Sequence, residues 1–370
     1  MIDSTNKLSC EQDVTLSIDG REVTVSADST VWEAAQRLGI EVPVLCHSSR
    51  LDPVGVCRMC VVDTGERVLA ASCVRQCQQG MKVETDSEKV FQHRKMLTSL
   101  LLIDHPTPCE RERTTGDCQL EQLAREFGLL DQDGNATAAN PLSSILPTPA
   151  SDSGANTATG NRPRIDLSSP VIAVDHQACI LCDRCVRACD DIQSNEVIGR
   201  SGKGYSAQIG FDLNTLMGES TCVSCGECVS ECPTGALTNK KITLPIVSTD
   251  SLDSTDSICP YCGVGCAVTF HATDNQIVFT EGRESPVNDS RLCVKGRYGF
   301  DYATHPQRLT KPLIRRASSY PKEPLSPEVQ ASYGKGRKPG GVVNYDDVMP
   351  AFREATWEEA LDLVAQRLLA

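Results

Sequence analysis

The sequence predicts a multidomain α+β chain in which bound metal supplements the hydrophobic core. Three observations predict this. Sixteen of the twenty cysteines fall into four ordered groups with ligand-like spacing, an alternating hairpin pattern lies near the N-terminus, and aromatic residues make up only 4% of the 370 residues. Bound metal can replace part of an apolar core, so several small modules suit this composition better than one large one.

Residues 14–25 (VTLSIDGREVTV) are two alternating runs joined by Asp19-Gly20, a pair that accepts the positive φ of a hairpin turn. Thr30 and Glu33 form a capping-box pattern that opens the helix VWEAAQRL, and Gly39 closes it. Hairpin, helix and then a cysteine loop is the order of a β-grasp ferredoxin-type domain, placed at 11–90. Residues 88–103 predict a helix ending just before His105, within a His/Cys-rich segment at 91–130. Residues 131–170 read as a linker, with a flexible stretch at 134–162 rich in Ala, Asn, Ser, Thr, Gly and Pro. Two copies of one cysteine motif fill 171–240, and residues 241–257 connect onward. Short strands around a further cysteine group are expected at 255–315 and a Ser/Pro/Gly/Lys-rich loop insertion at 316–350. A second capping box, Thr356 with Glu359, opens a final helix in 351–370. Its apolar stripe (Trp357, Leu361, Val364, Leu368) needs a partner, which is expected of the start of a truncated domain.

Disulfides fit these cysteines poorly. The N-terminus shows no secretory signal, no segment has the apolar length to span a bilayer, and a reducing cytoplasm favours metal-binding thiolates. The net charge of −13 argues against a nucleic-acid partner. In the duplicated motif C-x2-C-x2-C-x3-C, three cysteines wrap one [4Fe–4S] cluster and the fourth, expected to start a helix, reaches the other cluster. That assigns Cys179, Cys182, Cys185 and Cys232 to one cluster, and Cys222, Cys225, Cys228 and Cys189 to the second. Zinc knuckles pair differently and suit three evenly spaced cysteines badly. Cys46, Cys57, Cys60 and Cys73 resemble a plant-type [2Fe–2S] pattern with a longer first gap, and Gly55 lets the backbone bend around sulfur. Cys259, Cys262, Cys266 and Cys293 form the last group, with the iron–sulfur spacing C-x2-C-x3-C-x26-C. Cys10 and Cys77 lie outside every pattern and read as free thiols.

PVLCHSSRLDPVGVCRMC, the His105 segment, the duplicated motif and ICPYCGVGC…RLCVKGR occur in an order that resembles cytoplasmic, NAD-linked formate dehydrogenase α subunits. The same order recurs, with changes, in the large iron–sulfur subunit of respiratory complex I and in iron-only hydrogenases. The resemblance implies that 255–315 is a molybdopterin oxidoreductase [4Fe–4S] domain, and that Lys295 lies between its cluster and a pterin as an electron relay. It also implies a pattern H-x3-C-x2-C-x5-C at His105, Cys109 and Cys118, with Glu112 standing where the middle cysteine belongs. Three readings follow: the fourth [4Fe–4S] cluster is lost, it persists on a carboxylate, or Cys77 or Cys10 substitutes. Loss is favoured, because a carboxylate is a poor substitute for thiolate.

The function implied is formate oxidation by NAD⁺. Electrons would leave a molybdenum or tungsten bis-molybdopterin centre and cross the iron–sulfur groups to flavin- and NAD-binding diaphorase-type subunits. The chain shows no P-loop and no G-x-G-x-x-G after a strand, so flavin and NAD are expected on partner chains. The family's substrate-site residues lie beyond the last matched motif. The chain alone is therefore expected not to oxidise formate. The alternatives are an iron–sulfur subunit of NADH:quinone oxidoreductase and an electron-transfer subunit of a hydrogenase complex.

Overall fold

A computed structural model describes residues 13–142, 164–240, 242, 252–306, 308–316 and 349–369. Cys10, most of the flexible stretch expected at 134–162, most of the 241–257 connection and most of the 316–350 insertion lie outside the described residues. The chain forms two units, Met1–Phe300 and Asp301–Ala370.

In the first unit, β1 (Asp13–Ile18) and β2 (Arg21–Ser26) pair antiparallel, with Ile18 opposite Arg21. The turn between them holds Asp19 at φ 48° and Gly20 at φ 77°, the left-handed pair that the hairpin requires. The capping box is formed at α1 (Val31–Arg37). The Thr30 amide donates to the Glu33 carboxylate at 2.7 Å, and the Glu33 amide donates to the Thr30 hydroxyl at 3.2 Å. Two short strands, β3 (Val61–Val62) and β4 (Ala70–Ala71), pair within the cysteine loop. β5 (Lys82–Val83) then returns parallel to β1. Leu16, Ile18, Val25, Val31, Ala34 and Ala35 pack with Cys60, Cys73 and Cys77 in one buried core. Each of the larger aliphatic side chains among them contributes about 1.5–3 kcal/mol on burial.

Helix α2 (Glu88–Leu102) is followed by α3 (Glu110–Thr114) and α4 (Gln119–Glu126). Their core joins Leu102, Leu120, Leu123 and Leu129 to Leu45 and Met59 from the preceding cysteine loop. Residues 131–140 have defined structure: the Asp131 carboxylate accepts the amides of Asp133 and Asn135, and Asn140 is buried. A short polar loop folds here because Asp131 satisfies its backbone donors.

β6 (Ile165–Asp166), β7 (Ile172–Asp175) and β10 (Leu237–Asn239) form a sheet in the order β10-β7-β6. Between β7 and β10 lie α5 (Arg184–Arg187) with its π-helical continuation Ala188–Ile192, the hairpin β8 (Ile198–Ser201) and β9 (Gln208–Phe211), and α6 (Glu227–Glu231). The unit closes with the antiparallel sheet β11 (Asp253–Ile258), β12 (Ala267–Thr273) and β13 (Gln276–Gly282), then α7 (Val294–Tyr298).

In the second unit, β14 (Leu313–Arg315) pairs antiparallel with β15 (Phe352–Glu354), and α8 (Trp357–Leu369) follows. The Glu359 amide donates to the Thr356 hydroxyl at 3.2 Å, while the Glu359 carboxylate pairs with Arg353. Among the described residues nothing buries the helix stripe: Trp357 is 69% exposed and Leu361 60%.

Candidate metal centres

The 46–73 loop is bent by Gly55 (φ 64°) and Arg58 (φ 60°), either side of Cys57. A Cβ at Gly55 would also stand 3.2 Å from Val74, so glycine serves both the turn and the close approach. The loop draws its cysteines into two pairs. The Cys57 amide donates to Cys46 Sγ at 3.5 Å, and Cys60 Sγ lies 3.3 Å from Cys73 Sγ. Hydrogen bonding from Cys57 lowers the Cys46 thiol to about 6, and hydrogen bonding from Cys73 does the same for Cys60. Each partner, Cys57 and Cys73, is pushed up, first because its thiol is hydrogen-bonded to the neighbouring sulfur, then by burial and by that neighbour's negative charge. Cys77 is buried in the adjacent core, and burial raises its thiol to about 11.

The duplicated motifs build twin cavities. Cys179, Cys182, Cys185 and Cys232 line one. Cys189, Cys222, Cys225 and Cys228 line the other. Each motif thus contributes three cysteines to one cavity and one to its twin. The curl of each loop comes from left-handed residues at equivalent positions, Leu181 and Asp183 in the first copy, Ser224 and Gly226 in the second. Helices α5 and α6 start straight after Asp183 and Gly226, so the fourth cysteine does not start a helix: Cys189 lies inside the π-helical continuation and Cys232 caps the C-terminus of α6. Backbone amides face the sulfurs: Val197 donates to Cys189 and Ser224 to Cys222, both at 3.4 Å. Burial, with smaller contributions from neighbouring thiols, raises Cys179 to about 12 and raises Cys185 and Cys228 as well. Bare thiolates are costly here, and a polycationic iron–sulfide core is the partner that offsets them.

The fourth group is more open. Cys259 is buried, Cys266 half-buried, and Cys262 and Cys293 exposed. Cys266 is raised by burial first and then by Cys259, Cys262 and Cys293, which face it. Exposed apolar side chains flank the group, with Ile258 at 64% and Val264 at 59%. Lys295 is exposed, in the first turn of α7 that Cys293 caps.

His105, Cys109 and Cys118 come together as their spacing suggests, but Glu112 does not join them. Its carboxylate accepts the Cys118 amide at 3.2 Å and pairs with Arg125 at 2.6 Å. The carboxylate that does join is Glu121, whose ligand atoms and those of the other three lie within 4.8 Å of one another, all buried. Glu121 Oε1 accepts the Cys109 amide at 2.8 Å and lies 3.4 Å from His105 Nε2. Burial pushes His105 down, but hydrogen bonds to Cys109 and Glu121 outweigh it and raise the imidazole to about 9. The sequence signal for Glu121 was its place three residues after Cys118, on the first turn of α4.

Buried ion pairs tie these centres together. Glu227 on α6 pairs with Arg297 on α7 and, at 3.1 Å, with Arg50 of the first loop. Glu231 accepts from Ser48 at 2.8 Å and pairs with Arg184 at 3.2 Å. Arg187 donates to the carbonyls of Cys46 and, at 2.5 Å, Asp52. Arg111 donates to the Cys232 carbonyl at 2.8 Å.

Comparison with known proteins agrees with this layout. Residues 11–88 match the 2Fe-2S iron-sulfur cluster binding domain. Residues 169–238 match the ferredoxin-like domain of NADH-quinone oxidoreductase subunit 3, and residues 252–305 the molybdopterin oxidoreductase Fe4S4 domain. The chain is 31% identical to the NADPH-Fe(3+) oxidoreductase subunit alpha of Geobacter sulfurreducens, over 82% of this chain and 33% of that one. It is 31% identical to a subunit of an NADH-quinone oxidoreductase of Rhizobium meliloti, over 90% and 37%. A putative formate dehydrogenase of Bacillus subtilis is 26% identical over 96% and 35%. A chain in the crystal structure of an NAD⁺-reducing [NiFe]-hydrogenase in the H2-reduced state is 29% identical, with a TM-score of 0.52 over 64% of this chain and 92% of that one.

The chain is therefore an iron–sulfur protein with 2Fe-2S and 4Fe-4S cluster domains. More specifically, its iron–sulfur domains are of the type found in NADH-quinone oxidoreductases and molybdopterin oxidoreductases. It spans about a third of the length of the curated relatives it matches.

Proposed function

We propose that this chain is the electron-transfer part of an NAD-linked formate dehydrogenase α subunit, serving a flavin- and NAD-binding partner. The observation that carries the electron-transfer reading is the gathering of four separate cysteine groups in one unit, with buried Arg–Glu pairs linking their loops. Cys46, Cys57, Cys60 and Cys73 would hold a [2Fe–2S] cluster. Cys179, Cys182, Cys185 and Cys232 would hold one [4Fe–4S] cluster, Cys222, Cys225, Cys228 and Cys189 a second, and Cys259, Cys262, Cys266 and Cys293 a third. When bound, these clusters supply reversible one-electron chemistry.

The residues of this chain set the conditions for that chemistry. Burial of the Cys179 and Cys222 groups excludes water, and amides from Val197 and Ser224 stabilise negative charge on sulfur. Arg187, buried and donating to the Cys46 carbonyl, places a cation between the first cysteine loop and the duplicated motifs, which favours an added electron. The exposed, apolar-rimmed Cys259 group suits a site that docks further protein on its open side.

Lys295 beside Cys293 and the molybdopterin oxidoreductase domain match at 252–305 support the formate reading, in which Lys295 is an electron relay. No residue of this chain is assigned to the pterin itself. A second reading, the iron–sulfur subunit of an NADH:quinone oxidoreductase, is favoured by the ferredoxin-like domain match and the Rhizobium relative. The hydrogenase reading draws on a solved chain covered over 92% of its length.

Purification of the native complex separates the three. Molybdenum or tungsten, pterin and formate-dependent NAD⁺ reduction are expected. Quinone reduction by NADH without pterin would move the assignment to the second reading, and hydrogen-dependent NAD⁺ reduction with nickel to the third.

A further inference from the structure

The His105 site does not fit the cluster that its motif implies. In a cubane each ligand holds a different iron, so the ligand atoms must stand well apart. At the His105 site four ligand atoms close to within 4.8 Å of one another. The residue at the missing cysteine position, Glu112, is turned away and engaged by Arg125 and the Cys118 amide.

The same geometry fits a single ion. Tetrahedral Zn²⁺, with sulfur at about 2.3 Å and nitrogen or oxygen at about 2.0–2.2 Å, sets neighbouring ligand atoms about 3.3–3.8 Å apart. His105 Nε2 lies 3.4 Å from Glu121 Oε1 and 3.7 Å from Cys118 Sγ. Two thiolates, an imidazole and a carboxylate form a mixed donor set that zinc accepts and a cubane does not favour. Two buried polar atoms of these residues, His105 Nδ1 and Glu121 Oε2, have no hydrogen-bond partner. Arg125, 3.6 Å from Glu121 Oε2, would offset the remaining negative charge.

We propose that His105, Cys109, Cys118 and Glu121 bind one divalent ion of the zinc type, a closed structural site in place of a redox cluster. Binding releases the thiol protons of Cys109 and Cys118 in exchange for the ion, with no change of oxidation state. All four positions are taken by protein, so the site is not catalytic. It braces the α2–α4 layer against the end of the duplicated motif. There the Gln119 amide donates to the Pro233 carbonyl at 2.9 Å, and a Cβ at Gly235 would stand 2.8 Å from Cys109 Sγ.

The test uses the full chain, purified without oxygen and with its iron–sulfur content intact. Zinc analysis should give about one equivalent per chain. Zinc-edge X-ray absorption should show sulfur at about 2.3 Å together with nitrogen or oxygen at about 2.0 Å. Co²⁺ added after zinc removal should develop tetrahedral cobalt–thiolate absorption. Glu121→Gln and Cys118→Ser should lose the zinc equivalent while keeping their iron, and Glu112→Gln should keep both. A chain whose iron is complete but which binds neither Zn²⁺ nor Co²⁺ overturns the proposal. So does Mössbauer detection of a fourth cubane, or a zinc shell without sulfur in the unsubstituted protein, a readout that needs no variant to fold. Because zinc and iron are read separately, failure of this site leaves the electron-transfer reading standing, and the converse holds.

Discussion

At the residue scale, Glu227 carries more than its neighbours. It is fully buried and faces guanidiniums from two other cysteine regions, Arg50 and Arg297. Removing its charge strands those cations, so Glu227→Gln should lower stability by about 3–5 kcal/mol in denaturant titration. Asp166 shows the pH dependence that buried carboxylates bring. Burial opposes its ionisation, but the Met217 amide at 2.7 Å and the Ser168 hydroxyl and amide outweigh it and hold the carboxyl below its usual range. Its folded form is thus the better acid. The stability it contributes is present above the ordinary carboxylate range and lost as pH falls through the depressed folded value. Asp166→Asn should cost about 2 kcal/mol near neutrality, with the difference vanishing in acid. Thermal unfolding of both proteins across pH checks this, and a cost that persists below the carboxylate range would contradict it.

At the scale of elements, the left-handed residues around the second cysteine of each repeat decide whether the loop can curl. Gly226 has φ 81°, and an added Cβ would collide with the side chains of Arg297 and Tyr298. Gly226→Ala should therefore cost at least 1–3 kcal/mol, roughly, and deplete iron from the Cys222 group. Gly199 in β8 is a contrast: an added Cβ meets nothing within 4 Å, and its φ is not positive. Gly199→Ala should leave stability within about 0.5 kcal/mol of the parent and its iron content unchanged. Equal iron loss in the two variants would refute this account of the loop.

For the whole molecule, the cysteine modules share cores with their ligand loops, as Leu45 and Met59 do with α2 and α4. Stability and metal content are then linked. Removing iron with a chelator should lower the unfolding temperature of the chain, and full occupancy should give about fourteen iron atoms, twelve in three cubanes and two in the [2Fe–2S] site. Unchanged unfolding after complete iron loss would refute that coupling. The stripe on α8 stands apart from this: Trp357, Leu361 and Leu368 are uncovered among the described residues, and no helix there is long and apolar enough to cross a membrane.

Much of the local structure was legible in the sequence because it depends on short-range chemistry. The Asp19-Gly20 turn, the Thr30 capping box and α2 follow from residue types a few positions apart. The cysteine groups are visible for the same reason, since most ligands of each centre come from one short loop. What the sequence left open depends on side chains far apart in the chain. Spacing could place Glu112 in the motif, but only packing against Arg125 could turn it away and bring Glu121 beside His105. The order of residues likewise gives no sign that Glu227 would pair with both Arg50 and Arg297. The sequence by itself determined which cysteines could hold metal. Tertiary structure alone decided which carboxylate sits beside His105 and how buried charge joins the loops, because those choices rest on burial and distance between elements that sequence separation does not encode.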